Sequence, residues 1–283
     1  MSDSRPLVTF VFDDGHDTDY TVAREIFRAQ GEVACTAVTT GWVNTKNYLS
    51  VPQLHELSKD GWEIMAHTIT HPNLRSLSES EIEHELSGSK EALEGWGLPV
   101  RNMVYPYNKS NEMIERIAAK YYRGARAGQK MMNGPDYHRY ALKSFSSELS
   151  FRHEMKHIKE HIDLAYEEKK WVILYQHMID AKVGITDRSG PFTEDETLKF
   201  EPSGATGKFT ESGFWSIVFV PLSGDPRVGD IIVGESSGAS AKITKEYYNE
   251  KKAITEMIEF IHINYPDMKI VTIDHGLDLM GLR

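Results

Sequence analysis

Cysteine is all but missing from this chain. Cys35 stands alone in 283 residues, so an internal disulfide is excluded. Its place in the strand-like run Val33–Val38 marks it as a small buried apolar residue and not a redox group. Long hydrophobic runs are missing too: no apolar stretch approaches the roughly 18–20 residues that a bilayer span needs. A hydrophobic content of 40% and a mean hydropathy of −0.44 suit a globular chain, and no membrane partner is expected. Basic residues are in deficit, 32 Lys and Arg against 42 Asp and Glu, for a net charge of −10. That balance leaves no electrostatic footprint for nucleic acid or anionic lipid. The Lys156, Lys159, Lys169 and Lys170 region is interspersed with glutamates and reads as a solvated helix face. Met1-Ser2-Asp3-Ser4-Arg5-Pro6 offers no basic segment, apolar core or small-residue cleavage site, so a secretory signal is not expected.

What is present is concentrated in two places. Thr9-Phe10-Val11-Phe12-Asp13-Asp14-Gly15 sets adjacent carboxylates at the end of an apolar strand, and Ala66-His67-Thr68-Ile69-Thr70-His71-Pro72 supplies two imidazoles about fifty residues later. Neighbours on a strand point to opposite sides, so Asp13 and Asp14 do different jobs unless the strand has ended. Gly15 allows a sharp exit there. A carboxylate and two histidines make a three-ligand set with a coordination position open to water, as in catalytic metal sites, and the spare carboxylate is then available as a base. Alone, Asp-Asp-Gly is usually a turn and a His pair at i and i+4 is usually incidental. Thr68 stands where the metalloprotease motif needs glutamate, and Pro72 disfavours helix at His71.

Apolar β-rich segments alternate with helical ones over the first two-thirds, the pattern of stacked βα units around a mostly parallel sheet. Strands are predicted at Leu7–Phe12, Val33–Val38, Glu63–Ala66, Met103–Tyr105, Tyr122–Ala125 and Val172–Tyr175. Helices are predicted at Asp19–Gln30, Val51–Asp60, Ser78–Gly95, Asn111–Lys120 and Phe151–Lys170, the third opened by a Ser78/Glu81 capping box. From 182 to 244 the texture changes to Gly, Ser and Thr around short β-branched runs, Trp215–Leu222 and Ile231–Val233, without a good helix. Helix Tyr247–Ile263 and strand Lys269–Ile273 then resume the α/β pattern. The chain thus divides into residues 1–181 with 245–283, and an inserted β-rich module at 182–244, whose strands are expected to need a neighbour to bury a core.

Four segments in order resemble the polysaccharide deacetylases, also called carbohydrate esterase family 4 or the NodB homology domain. They are Thr9–Gly15, Gly61–Leu74, Tyr105-Pro106-Tyr107 and Val172–His177, with similarity over roughly 6–180 and 244–283. The resemblance implies a distorted, partly open (β/α) barrel of about seven strands. It implies that Asp14, His67 and His71 bind one divalent metal ion, usually zinc, that Asp13 is the general base, that the backbone N–H of Tyr107 is an oxyanion donor, and that His177 is the general acid. It also implies hydrolysis of N-acetyl, with O-acetyl second, on an acetylated polysaccharide or oligosaccharide. A metal-independent amidase on a small cyclic substrate and a non-catalytic glycan-binding surface or virion protein are the alternatives. Leu174 and Trp42 are candidates for an acetyl pocket and a groove wall, with plain core favoured for both.

Two departures stand out. Val104 occupies the position where the third motif often has the arginine that orients the catalytic aspartate, leaving Arg126 or Arg139, unless both are surface residues, to pair with Asp13. Asn108 replaces a frequent glycine, which asparagine's tolerance of left-handed backbone permits. His153, His157 and His161 recur every four residues and read as a solvated stripe in preference to a second metal site. His16 must lie near the metal residues. Val228–Ile243 resembles, weakly, a β-motif of bacteriophage and virion-associated proteins. That likeness suggests virion attachment through the insert, whose need for a neighbour also allows homo-oligomerisation, and the lack of a signal leaves the location open between cytoplasmic and virion-associated or lysis-released.

Overall fold

The first strand, β1 (Leu7–Phe12), is buried at every position, which requires a sheet covered on both faces. In the computed structural model, which describes residues 6–151 and 153–281, that sheet is a ring. β1, β2 (Cys35–Val38), β3 (Glu63–Ala66), β4 (Asn102–Val104), β5 (Gly124–Gln129), β6 (Leu142–Ser146) and β7 (Trp171–Gln176) pair in chain order and in parallel. β7 pairs back onto β1 from Leu7↔Trp171 to Phe12↔Gln176 and closes the barrel. The seam between β3 and β4 is thin, joined in register at Ala66 and Met103 alone. Met1–Arg5, on which the signal expectation rests, and Arg152, inside a predicted helix, lie outside the described residues.

Helices α1 (Arg24–Gln30), α2 (Val51–Lys59), α3 (Glu79–Gly95), α4 (Glu112–Tyr121) and α5 (Met155–Glu167) follow the strands. The Ser78/Glu81 capping box opens α3 as predicted, and Ser50 with Gln53 forms another ahead of α2. Predicted helix Asp19–Gln30 begins as a π-helical turn, Asp19–Ala23, before α1. Phe10, Phe12 and Leu174 face this helical layer, packed with Phe27, Leu54 and Trp62. Alternate residues of the same strands, Val11, Cys35, Ala37, Met65, Val104 and Ile173, fill the barrel interior. Cys35 is fully buried there, as its strand pattern predicts.

The module is also a closed barrel, antiparallel throughout: β8 (Ala181–Thr186), β9 (Thr197–Glu201), β10 (Thr206–Ser212), β11 (Ser216–Ser223), β12 (Ile231–Gly234) and β13 (Ser240–Asn249), in the order β10-β11-β8-β13-β12-β9. Two expectations are corrected here. The module does not borrow a core, because Val183, Ile185, Leu198, Phe200, Phe219, Ile232 and Ile243 form one inside the ring. Nor does the last long helix begin at Tyr247: β13 runs on to Asn249, whose side chain accepts from Lys252 N–H and caps α6 (Glu250–Asn264). Ala181 and Asn249 face each other in register, so the chain enters and leaves the module at one place. Lys46 ties it to the loop after β2 through Glu194 at 2.8 Å and Asp195 at 2.7 Å. Finally β14 (Lys269–Ile270) pairs with Leu7 and Val8, and α7 (Ile273–Leu279), which replaces the predicted end of that strand, closes the barrel floor with Ile273 and Leu277. No helix among the described residues is long and apolar enough to cross a membrane.

Candidate metal centre

β1 ends at Phe12, and the chain turns at once through two left-handed residues, Asp14 (φ 74) and Gly15 (φ 75). That turn separates the two carboxylates. Asp14 faces His67 and His71, its Oδ1 lying 3.5 Å from His67 Nε2 and 3.4 Å from His71 Nε2. One ligand atom from each residue lies within 4.8 Å of the others. The two Asp14–histidine separations suit a tetrahedral ion, whose ligand atoms at bonds of 2.0–2.1 Å stand roughly 3.3–3.4 Å apart. Asp14 Oδ1 is buried and makes no hydrogen bond, the state of a ligand atom awaiting a cation. His67 Nδ1 lies 2.8 Å from the Val104 carbonyl, which can only accept. That fixes the N–H on Nδ1 and leaves the Nε2 lone pair toward Asp14. Val104 therefore contributes through its backbone.

Charge on Asp14 is opposed by burial, but the imidazoles of His16, His67 and His177 outweigh it and hold the carboxyl well below its usual range. Burial, reinforced by the neighbouring His67, lowers the pKa of His71, favouring the neutral ring that a ligand needs. The loop bearing His71 is strained, with Thr68 at φ 67 and His71 at φ 57. Glu85 on α3 holds it: its carboxylate accepts from Ile69 N–H (2.8 Å), Thr70 N–H (3.0 Å) and Thr70 Oγ1 (2.6 Å).

Asp13 turns instead to the barrel interior. Its Oδ2 accepts from Arg126 Nη2 at 2.6 Å, both groups being almost wholly buried, and its Oδ1 has no partner. Arg126 projects from β5, donates to Ser144 Oγ at 3.3 Å and lies 4.5 Å above the Tyr175 ring. Of the two arginines offered as substitutes, Arg126 takes the position and Arg139 does not, its guanidinium lying over Tyr140. Tyr107 sits in a tight turn after β4 at φ 57 with its ring 4.8 Å from His71. Asn108 follows at φ 57, the left-handed conformation that its type tolerates. Gly128 lies so close that a Cβ there would come within 2.9 Å of Asn108 Cβ, so β5 can carry only glycine at that point.

His177 closes the arrangement from β7. Glu148, buried just beyond β6, accepts from its backbone N–H at 3.1 Å and lies 3.1 Å from its Nδ1. Burial opposes the imidazolium, but Glu148 with Asp13 and Asp14 more than offsets this and raises its pKa to about 9. His16 is beside the centre as expected, Nε2 3.7 Å from Asp14 Oδ2 and its ring stacked on Tyr48. Trp42, half-buried, flanks His71 at 5.5 Å, whereas Leu174 is buried on the helix side of β7. The sequence reading missed Glu85 and Glu148. Glu85 had a signal, an acid on the apolar face that Ile82, Leu86 and Leu93 give to α3; Glu148, in a short polar loop, had none.

The whole constellation lies at the C-terminal ends of the barrel strands, where loops from successive strands converge. The T48 deacetylase, solved with substrate, aligns over 98% of this chain and 94% of its own at a TM-score of 0.55 with 15% identity. The fold is that of the polysaccharide deacetylases. The polysaccharide deacetylase family model matches residues 1–123. The putative polysaccharide deacetylase YxkH of Bacillus subtilis (strain 168) is 26% identical over 118 residues, 41% of this chain and 42% of that relative. Streptococcus pyogenes deacetylase PplD, solved with acetate, is 24% identical with a TM-score of 0.46, covering 48% of this chain and 62% of that one. The chain thus spans less than two thirds of the length of either relative.

Proposed function

We propose that this chain is a metal-dependent hydrolase that removes acetyl groups, N-acetyl ahead of O-acetyl, from a carbohydrate polymer. Asp14, His67 and His71 hold one divalent ion, zinc by the family resemblance, which when bound supplies Lewis acidity and lowers the pKa of water. Asp13 takes the proton from the attacking water through its unpartnered Oδ1, while Arg126 holds Oδ2 and fixes the carboxylate's orientation. The Tyr107 backbone N–H donates to the developing oxyanion, a contribution of roughly 3–4 kcal/mol for a positioned donor. His177, charged by Glu148, passes its Nε2 proton to the departing amine.

The observation that carries this reading is the pairing of a converging Asp14–His67–His71 set with a separate, buried and half-partnered carboxylate on Asp13. The metal-independent amidase reading is set aside on the same ground. Residues 1–181 with 245–283 form the catalytic unit in this proposal, and the module contacts polymer, another copy of the chain or a virion, the last on the likeness of Val228–Ile243 alone. Acetate release from chitin oligomers, peptidoglycan and acetylated xylan, with metal and after chelation, tests it. Release that chelation abolishes supports the reading; glycan binding with no release on any of the three overturns it in favour of a binding protein.

A further inference from the structure

A cavity of about 290 Å³ lies between α5 and strands β6 and β7, and none of the metal residues lines it. Its floor is apolar, formed by Phe145 and Leu174, and its rim carries Lys130, His153, His157 and His161. The three histidines thus border a cavity as well as facing solvent, with His157 the most exposed of them. They are not a second metal site, since among the described residues only Asp14, His67 and His71 bring ligand atoms together. His161 Nδ1 is turned to the His157 carbonyl, and its ring packs 4.0 Å from Phe145. Lys130 is held in a left-handed backbone conformation, φ 49, rare for lysine.

Among the described residues the lining holds no carboxylate. Burial, Lys130 and the two neighbouring histidines disfavour charge on His153 and outweigh Glu148, which favours it from behind the lining; the ionisable groups of the lining itself are all basic, around an apolar floor. We propose that this cavity binds a small organic anion with a flat apolar body, of the class of an aromatic carboxylate. The head lies toward Lys130 and His157, because at the other wall Ser146 donates to Glu148 Oε2 at 3.3 Å and puts negative charge behind that side. The body lies on Phe145 and Leu174. The volume, at the low end for small-molecule pockets, admits one ring and its substituent.

The test uses the metal-loaded full chain with ¹³C-labelled histidine, titrated at about pH 6.5, where imidazole is roughly half protonated. Benzoate is compared with benzyl alcohol, which keeps the body, and acetate, which keeps the charge. Benzoate should shift the His153, His157 and His161 resonances saturably and bind roughly tenfold or more tightly than either control, the size of a charge-assisted contact added to an apolar one. Lys130→Gln with His157→Gln, both exposed, should weaken benzoate by about tenfold. Shifts confined to His67 and His71 would put the carboxylate at the metal centre and overturn the proposal. So would equal binding of benzoate and benzyl alcohol, or benzoate affinity unchanged in the double variant.

Discussion

The two barrels solve closure in opposite ways. In the parallel barrel β1 and β2 are buried at every position, covered by helices outside and side chains inside. In the antiparallel module β9 alternates buried and open positions, since one face meets the ring's core and the other meets solvent. Strain is divided just as unevenly. Asp14, Thr68, His71, Tyr107 and Asn108, all left-handed, cluster at the metal end of the parallel barrel, while among the described residues the module has only Asp187 and Asp195 in that conformation outside glycine. A framework buried on both faces can bear the cost of a strained site; the module carries a relaxed core and no comparable constellation.

Removing ligands should break that contrast most severely. His67→Ala with His71→Ala is expected to abolish metal retention, measured by elemental analysis, and to take acetate release to background. Metal content equal to that of the unaltered chain would refute the ligand assignment. Next in size, Asp13→Asn should keep the metal while lowering turnover by about 10²–10⁴-fold. Arg126→Met, which leaves Asp13 buried without its partner, should cost about 3–5 kcal/mol in denaturant unfolding. The double variant, with no carboxylate charge left to strand, should recover part of that.

Glu148→Gln sharpens the picture of the acid. His177 is raised to about 9, so its imidazolium contributes stability in full below the unfolded value near 6.5, and that contribution is lost as pH rises through about 9. Activity that needs the protonated ring should fall over the same upper range. In Glu148→Gln the basic limb of kcat/KM should move down toward pH 6.5, and a limb that stays in place would exclude Glu148 as the source of the shift. The smallest effect is expected from excising the module. Ala181 and Asn249 are already paired, so replacing 182–248 with a short Gly/Ser linker should leave metal content and turnover of a small acetylated substrate nearly unchanged. Polymer turnover or solution mass per chain should change; if neither does, the module has no part in substrate or assembly.

Much of the parallel barrel was legible because doubly buried strands read as apolar runs: Leu7–Phe12 and Glu63–Ala66 match the predicted ranges residue for residue. β6 escaped, since Leu-Lys-Ser-Phe-Ser mixes polar residues into a strand that lies beside polar site groups. In the module, alternation broken by Gly and Ser turns left only β11 and β12 visible, and the strength of β13 hid inside a predicted helix start.

The sequence by itself marked out the candidate ligand set of Asp14, His67 and His71 and the separate carboxylate of Asp13, because all four sit in compact local motifs whose residue types already limit the chemistry. It also narrowed the partner of Asp13 to two arginines. Only the tertiary structure chose Arg126, since β5 and β1 are not neighbours in the ring and the choice depends on which side chain crosses the barrel interior. It alone supplied Glu85 and Glu148, and set His153, just before α5, with His157 and His161 on it, around one cavity. Contacts between residues far apart in the chain leave no periodic trace, whereas turns, strand ends and short motifs do.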